Sequence, residues 1–188
     1  MGFDLSESQL AKAREKAKLL NLNIAFQKHD ARNLRFDKEV DVEIMLCEGG
    51  FSLMETDEIN FEILKNATKA LKDNGKLIFT TLNGLFPLFH SVKEFYRSVA
   101  TEGGAEYQDC TFDLMTFRDH NTTVIEDDLG NKRELKCNER CYVPSEITRL
   151  LKTLGYKTID IFGAKLGAFS RGDKLRTDDF EMLIVAVK

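Results

Sequence analysis

The amino-acid sequence predicts an α/β protein with a doubly wound, mostly parallel sheet. Short apolar runs alternate with amphipathic stretches in the order β-α-β-β-α-β over residues 1–82, with tight joining segments. The run at residues 41–47 is mostly apolar, which is typical of a parallel strand covered on both faces. Together these patterns predict a single domain over residues 1–188.

Local signals set the elements of the first half. Their predicted order is a strand ending at Asp4, a helix from Ser6 to Leu20, a strand at 24–27, a strand at 41–47, a helix from Thr56 and a strand at 76–82. Ser6 and Gln9 have the spacing of a capping box. Asp57 and Glu58 place acids at a helix start, where the macrodipole favours them. Asn74-Gly75 is expected to end that second helix.

The second half of the sequence has a different pattern of predicted elements. Aromatic and aliphatic residues at 85–99 predict one amphipathic helix. Residues 106–142 are β-rich with a turn at 128–131, which predicts an antiparallel insertion or lid beside the pocket, or an oligomer contact. Pro144 suits a helix start and Gly155 its end. Strands are expected at 157–162 and 181–187.

Composition excludes several classes of function. The net charge is −4, with 27 basic and 31 acidic residues well mixed, so nothing supports nucleic-acid binding. Apolar runs are too short to span a membrane, and the N-terminal helix is too polar for a signal peptide. The four cysteines form no CxxC pair and the three histidines have no metal-like spacing, so we expect reduced thiols, no metal site and a cytoplasmic protein.

The order of these pieces resembles the class I S-adenosylmethionine-dependent methyltransferases that act on small molecules. The resemblance spans Gly2 to Lys188 and rests on five segments, 2–6, 29–31, 41–51, 71–77 and 142–147. It implies a Rossmann-like sheet with an antiparallel C-terminal strand, S-adenosylmethionine as cofactor and a small-molecule methyl acceptor. Ligands of such sheets bind at the carboxyl ends of the strands.

The resemblance assigns five residues to the cofactor. Asp4 would accept hydrogen bonds from the ribose hydroxyls, and Leu5 would pack on the adenine. Asp30 would accept from the adenine amino group, Ala31 would offer its N–H to a ring nitrogen, and Cys47 would lie near the sulfonium. Structural alternatives stay open, because Asp4 also suits an exposed strand end and Asp30 an ordinary turn.

Four further residues are candidates for the acceptor site. The resemblance places Glu48 and Phe51 after the central strand, and Arg140 and Tyr142 before the Pro144 helix. Glu48 before two glycines is equally a turn carboxylate, and the aromatic residues at 86–96 more often pack a core than cage a substrate.

Two departures from the family bear on activity. The first strand and its glycine-rich turn are absent, and Glu43 interrupts a strand expected to be buried. A truncated chain with little methyl transfer is therefore expected. The alternatives are a non-catalytic remnant that serves as a binding or interaction module, and a nicotinamide-dependent oxidoreductase. The latter should carry a Tyr-x-x-x-Lys pair on a helix, which this sequence lacks.

Overall fold

The computed structural model describes residues 1–47, 50–103, 106–126, 130–165 and 168–188. Its strands are β1 (Gly2–Asp4), β2 (Phe26–Lys28), β3 (Val40–Met45), β4 (Leu71–Leu82), β5 (Glu106–Asp113), β6 (Arg118–Glu126), β7 (Lys132–Arg140), β8 (Thr158–Ala164) and β9 (Glu181–Val187). Its helices are α1 (Glu7–Leu19), α2 (Asp57–Ala70), α3 (Phe86–Phe89), α4 (Val92–Gly103) and α5 (Pro144–Thr153), with a short 3-10 helix at Ala31–Asn33.

The strands form three sheets, with orders β1-β2, β3-β4-β9-β8 and β5-β6-β7. The predicted α/β class is confirmed, but the four-stranded sheet is mixed rather than mostly parallel. Strand β9 lies between β4 and β8 and runs against both, so two of the three pairings in that sheet are antiparallel. Strands β3, β4 and β8 consequently share one direction, and their carboxyl ends meet at one edge.

Helix α1 begins where the capping box predicts, with the Gln9 N–H donating to Ser6 Oγ at 3.4 Å. Helix α2 begins after Thr56, whose Oγ1 accepts from the Ile59 N–H at 3.3 Å. It ends at Ala70, earlier than predicted, because Leu71 turns to an extended conformation and is the register partner of Val40. The next pairing joins Val42 to Lys76, so residues 72–75 bulge from the ladder.

The main hydrophobic core lies on one face of the four-stranded sheet. It includes Leu64 of α2, Phe79 of β4, Ile184 of β9 and Ile147 and Leu151 of α5. All five are almost fully removed from solvent, which makes this packed layer the principal source of stability.

Strand β3 departs from the expectation of burial on both faces. Its alternating residues Val42 and Ile44 are 45% and 63% exposed. The partners of Glu43 and Met45 across the ladder are Leu77 and Phe79 of the core, which places Glu43 and Met45 on the core face. The packed core therefore covers one face of β3, while Val42 and Ile44 on the other face stay open to solvent in the described structure.

The predicted aromatic helix is broken into two. His90 is extended (φ −131°, ψ 147°) and ends α3. Ser91 then begins α4, with its Oγ accepting from the Glu94 N–H at 3.3 Å and its carbonyl from the Phe95 N–H at 3.0 Å. A serine that can cap a new helix thus overrides the continuous apolar spacing.

Strands β5, β6 and β7 pair antiparallel throughout. The turn expected at residues 128–131 lies largely outside the described residues, although Gly130 has the left-handed φ of 82° that a tight turn requires. The segment that follows β7 joins this sheet to the carboxyl end of β4, because the Tyr142 N–H donates to the Leu82 carbonyl and the Tyr142 carbonyl accepts from the Gly84 N–H. No helix in the described ranges is long and apolar enough to cross a membrane.

Candidate functional site

A cavity of about 470 Å³, here called cavity 1, lies at the carboxyl ends of β1, β2 and β3. Asp4, Leu5, Asp30 and Ala31 all line it, so the structure brings together four of the five residues predicted to bind the cofactor. Their positions follow from topology, because parallel β1 and β2 end side by side. The volume is in the range of small-molecule sites.

Asp4 is oriented by its own turn. Its Oδ1 accepts from the Ser6 N–H at 2.7 Å, and within the described ranges its Oδ2 accepts no hydrogen bond. Leu5 beside it is 52% exposed. The free carboxylate oxygen can accept hydrogen bonds from a diol, and the exposed aliphatic side chain beside it can pack against a flat ring of the same ligand.

Asp30 is held tightly by Arg32. Its Oδ1 accepts from the Arg32 N–H at 2.9 Å, and its Oδ2 accepts from the Arg32 guanidinium at 2.7 Å. These hydrogen bonds lower the pKa of Asp30 below its usual value. The amide of Asn66 donates to the carbonyls of Ala31 and Arg32 at 3.1 and 2.8 Å, which fixes the short helix to α2. The Ala31 N–H, as the first of that helix, has no intrahelical acceptor.

The lining of cavity 1 is rich in acid. Among the described residues of the lining, Asp4, Asp30, Glu43 and Glu55 contribute carboxyl groups, whereas the one guanidinium, of Arg32, is already bound to Asp30. Burial on the core face raises the pKa of Glu43 to about 7. The electrostatics of the cavity therefore suit a ligand with positive charge.

The structure describes the carboxyl end of β3 and part of the loop that follows it. Met45 and Leu46 line cavity 1, while Cys47 is exposed, has a left-handed φ of 55° and is not part of the lining. The predicted acceptor residue Glu48 lies outside the described residues.

The other three predicted acceptor residues lie together in the interior. Phe51 is fully buried and stacks on Tyr142 with ring centroids 4.9 Å apart. The Arg140 guanidinium carbon lies 4.6 Å from the centroid of the same tyrosine ring. Burial raises the pKa of Tyr142 well above its usual value. None of the three lines cavity 1.

Arg140 joins three segments of the chain. Its guanidinium donates to Asp57 at the start of α2 (3.2 Å), to Glu146 in α5 (2.7 Å) and to the carbonyl of Cys141. Its neighbour across the strands, Arg118, donates to the other oxygen of Asp57 at 2.8 Å.

The loop that lines cavity 1 is held by the same two arginines. The Arg118 guanidinium donates to the Met54 carbonyl at 2.9 Å, and the Arg140 backbone N–H donates to the Ser52 carbonyl at 2.8 Å. The pair therefore fixes one wall of cavity 1 to the three-stranded sheet.

A second cavity of about 460 Å³, here called cavity 2, was not anticipated from the sequence. Its lining includes the ends of β8 and β9 at Ala164 and Glu181, so it opens at the same sheet edge as the carboxyl end of β4. One face of the β5-β6-β7 sheet forms its floor. Glu139 lines it and Asp119 is the register partner of Glu139. In the sequence, only the alternation of residues between the two faces of β6 and β7 could have indicated that Asp119 and Glu139 lie together. That inference also needs the register between the two strands, which the sequence does not give.

The first 75 residues match the family model for a methyltransferase domain. A curated relative, the ubiquinone biosynthesis O-methyltransferase of Coxiella burnetii, is 27% identical over 162 residues, which cover 86% of this chain and 56% of the relative. The chain thus spans about half the length of the curated relatives it matches.

Solved structures share the fold at low sequence identity. An S-adenosylmethionine-dependent methyltransferase from Clostridium acetobutylicum superposes with a TM-score of 0.67 at 15% identity, covering 98% of this chain and 73% of that one. The CcbJ methyltransferase of Streptomyces caelestis gives 0.70 at 14% identity, with coverages of 98% and 72%. CalS10, an amino pentose methyltransferase of Micromonospora echinaspora solved with S-adenosylmethionine bound, gives 0.63 at 14% identity, with coverages of 99% and 72%.

The first 75 residues are thus similar to a methyltransferase domain, and the fold of the chain is that of S-adenosylmethionine-dependent methyltransferases, which agrees with the resemblance seen in the sequence.

Proposed function

We propose that this chain binds S-adenosylmethionine in cavity 1 and transfers its methyl group to a small-molecule acceptor. The observation that carries the proposal is the convergence of Asp4, Leu5, Asp30 and Ala31 on one acid-rich cavity at the strand ends. Bound there, the cofactor would supply an electrophilic methyl group on a positively charged sulfur.

The residues present suit the adenosine part of that cofactor. Asp4 offers a free carboxylate oxygen to the ribose hydroxyls, and exposed Leu5 offers an apolar surface to the adenine. The backbone N–H of Ala31 is the first of the 3-10 helix and has no acceptor within it. In the same assignment this N–H donates to a ring nitrogen of the adenine. Asp30 has its oxygens engaged by Arg32, so its role includes holding this helix in place as well as accepting from the amino group.

The three-stranded sheet over residues 106–140 is the proposed acceptor-side wall. Its position at the carboxyl end of β4 and its hydrogen bonds to the loop that lines cavity 1 support this role. Phe51, Arg140 and Tyr142 act, in this proposal, behind the wall, where they fix its distance from cavity 1.

Titration calorimetry with S-adenosylhomocysteine tests the cofactor assignment. We expect Asp4→Ala to weaken binding by about tenfold to a hundredfold, because a charge-assisted pair of hydrogen bonds contributes about 1.5–3 kcal/mol. Asp37→Ala is the matched control, since Asp37 is also exposed but does not line cavity 1. Equal affinity of Asp4→Ala and the control would refute the ribose assignment.

The alternative of a non-catalytic binding module has one observation in its favour. Strands β1 and β3 both border cavity 1, and in the described structure each has a strand partner on one edge only. An assay for S-adenosylhomocysteine release separates the two functions, because binding without turnover in the presence of acceptors favours the module. The weak methyl transfer expected of residues 1–188 alone is a proposal that the same assay tests.

A further inference from the structure

Cavity 2 is bounded by aromatic rings on one side and by polar strand residues on the other. Tyr96 of α4 and Tyr107 of β5 lie with ring centroids 4.8 Å apart, and Phe95 stacks on Phe180 at 4.2 Å. The floor comes from Asn121 and Thr123 of β6 and from Cys137 and Glu139 of β7. The cavity is therefore both large enough for a small molecule and amphipathic.

The register of β6 and β7 separates acids from bases. Asp119 is the partner of Glu139, and the neighbouring pair is Arg118 and Arg140. Successive strand residues point to opposite faces, so the two arginines face Asp57 and the two acids face cavity 2. Cavity 2 consequently lacks the arginines as counter-charges.

Asp119 is buried without full compensation. It is 1% exposed, its Oδ2 accepts from the Tyr96 hydroxyl at 2.7 Å, and its Oδ1 has no hydrogen-bond partner in the described structure. Burial raises the pKa of Asp119, against the opposing effects of the Tyr96 hydrogen bond and the neighbouring His120. A buried carboxylate oxygen without a donor is costly, and a ligand that donates to it would remove that cost.

The other ionisable groups of the cavity add negative charge. Glu139 is partly buried, and burial together with the charge of Asp119 raises its pKa to about 7. Glu181 of β9 is a further carboxyl group in the lining, and among the described residues no lysine, arginine or histidine lines the cavity. The remaining titratable neighbours, the Tyr96 and Tyr107 phenols and the Cys137 thiol, carry no positive charge in any protonation state.

We propose that cavity 2 binds a small molecule through a protonated amine, with Glu139 and Asp119 as its counter-charges and the Tyr96 and Tyr107 rings as its walls. An ammonium group satisfies both requirements of the site, because it donates to carboxylates and is attracted to aromatic faces. The inference concerns cavity 2 by itself and does not depend on the cofactor assignment, because the two cavities share no lining residue among the described residues.

Calorimetry on the chain without any methyl donor tests the binding site. The probes are 2-phenylethylamine and its neutral isostere 2-phenylethanol, which differ at the amine alone. We expect the amine to bind at least about tenfold more tightly than the alcohol, as a charge-assisted contact requires. Its affinity should rise about fivefold to tenfold from pH 6 to pH 8, as Glu139 ionises and the amine stays protonated.

Glu139→Gln should remove most of that preference and of its pH dependence. Glu134→Gln is the matched control, because Glu134 is exposed on the same strand and on the opposite face. Equal binding of the two probes, no binding of either probe, or an unchanged Glu139→Gln variant would each overturn the proposal. The comparison of the two probes on the unaltered chain keeps the test decisive if the variant folds poorly.

The two proposals fail separately. Loss of S-adenosylhomocysteine binding with the amine preference intact would contradict only the cofactor assignment. Normal S-adenosylhomocysteine binding without discrimination between amine and alcohol would contradict only the amine site.

Discussion

Replacing Arg140 with methionine is expected to destabilise the fold substantially. The side chain is 8% exposed, and its guanidinium donates to Asp57, Glu146 and the carbonyl of Cys141. Methionine keeps the packing of the aliphatic stem and removes the three donors. The change therefore isolates the polar contribution of the residue.

The magnitude follows from the exposure of the partners. The Asp57 and Glu146 side chains are 52% and 32% exposed, so water can replace much of what these carboxylates lose. The buried Cys141 carbonyl loses its guanidinium donor, at a cost of about 1–3 kcal/mol. With about 1 kcal/mol more for the two weakened ion pairs, we expect a loss of about 2–4 kcal/mol in the free energy of unfolding.

Urea denaturation measures this loss. At an m value of about 2 kcal/mol/M the midpoint of unfolding should fall by about 1–2 M. The matched control is Arg149→Met on the exposed side of α5, which we expect to stay within about 0.5 kcal/mol of the unaltered chain. In a double-mutant cycle, Asp57→Asn should cost at least about 0.5 kcal/mol less when Arg140 is already methionine. Equal midpoints for Arg140→Met and Arg149→Met would refute the assignment of Arg140 as the joint between these segments.

Two further variants test other buried polar groups. Asn83→Ala should cost about 2–3 kcal/mol, because the amide donates to the carbonyls of Arg176 (3.1 Å) and Asp179 (2.8 Å) and accepts from the Leu85 N–H (3.1 Å). A urea midpoint unchanged from that of the unaltered chain would contradict this. The pKa of Glu43 is about 7 in the folded chain, above its ordinary value of 4.5, so the folded state holds the proton more tightly and stability falls as pH rises between these values. Glu43→Gln should therefore stabilise the fold by about 1–3 kcal/mol more at pH 8 than at pH 4. An equal effect of the substitution on the urea midpoint at both pH values would show that burial does not raise the pKa of this carboxyl group.

Local signals in the sequence predicted elements whose causes are themselves local. Ser6 and Thr56 begin helices because a side-chain oxygen can cap an N–H three residues away, and Pro144 begins one because it lacks an N–H to lose. The meeting of Asp4 with Asp30 was also predictable, since neighbouring parallel strands end at a common edge. These inferences need only spacing, residue type and strand direction.

Some local signals compete, and the sequence does not say which one prevails. The apolar spacing around His90 favours one continuous helix, whereas Ser91 can begin a new one. The chain breaks at His90, where the Ser91 cap begins the second helix and the His90 ring stacks on Phe86 with ring centroids 4.6 Å apart. Local propensity is a weak guide wherever such tertiary contacts differ between the alternatives.

The sequence by itself determined the α/β class, the resemblance to methyltransferases and the strand-end residues of cavity 1. Tertiary structure alone decided what surrounds each charged side chain. Arg140, expected at the acceptor site, donates instead to Asp57 and Glu146 of two distant helices. Asp119 and Glu139 are partners across a ladder, and among the described residues cavity 2, which Glu139 lines, has no basic side chain in its lining. The physical reason is that a charge takes its role from the groups within a few ångströms, and strand register and long-range packing set those distances.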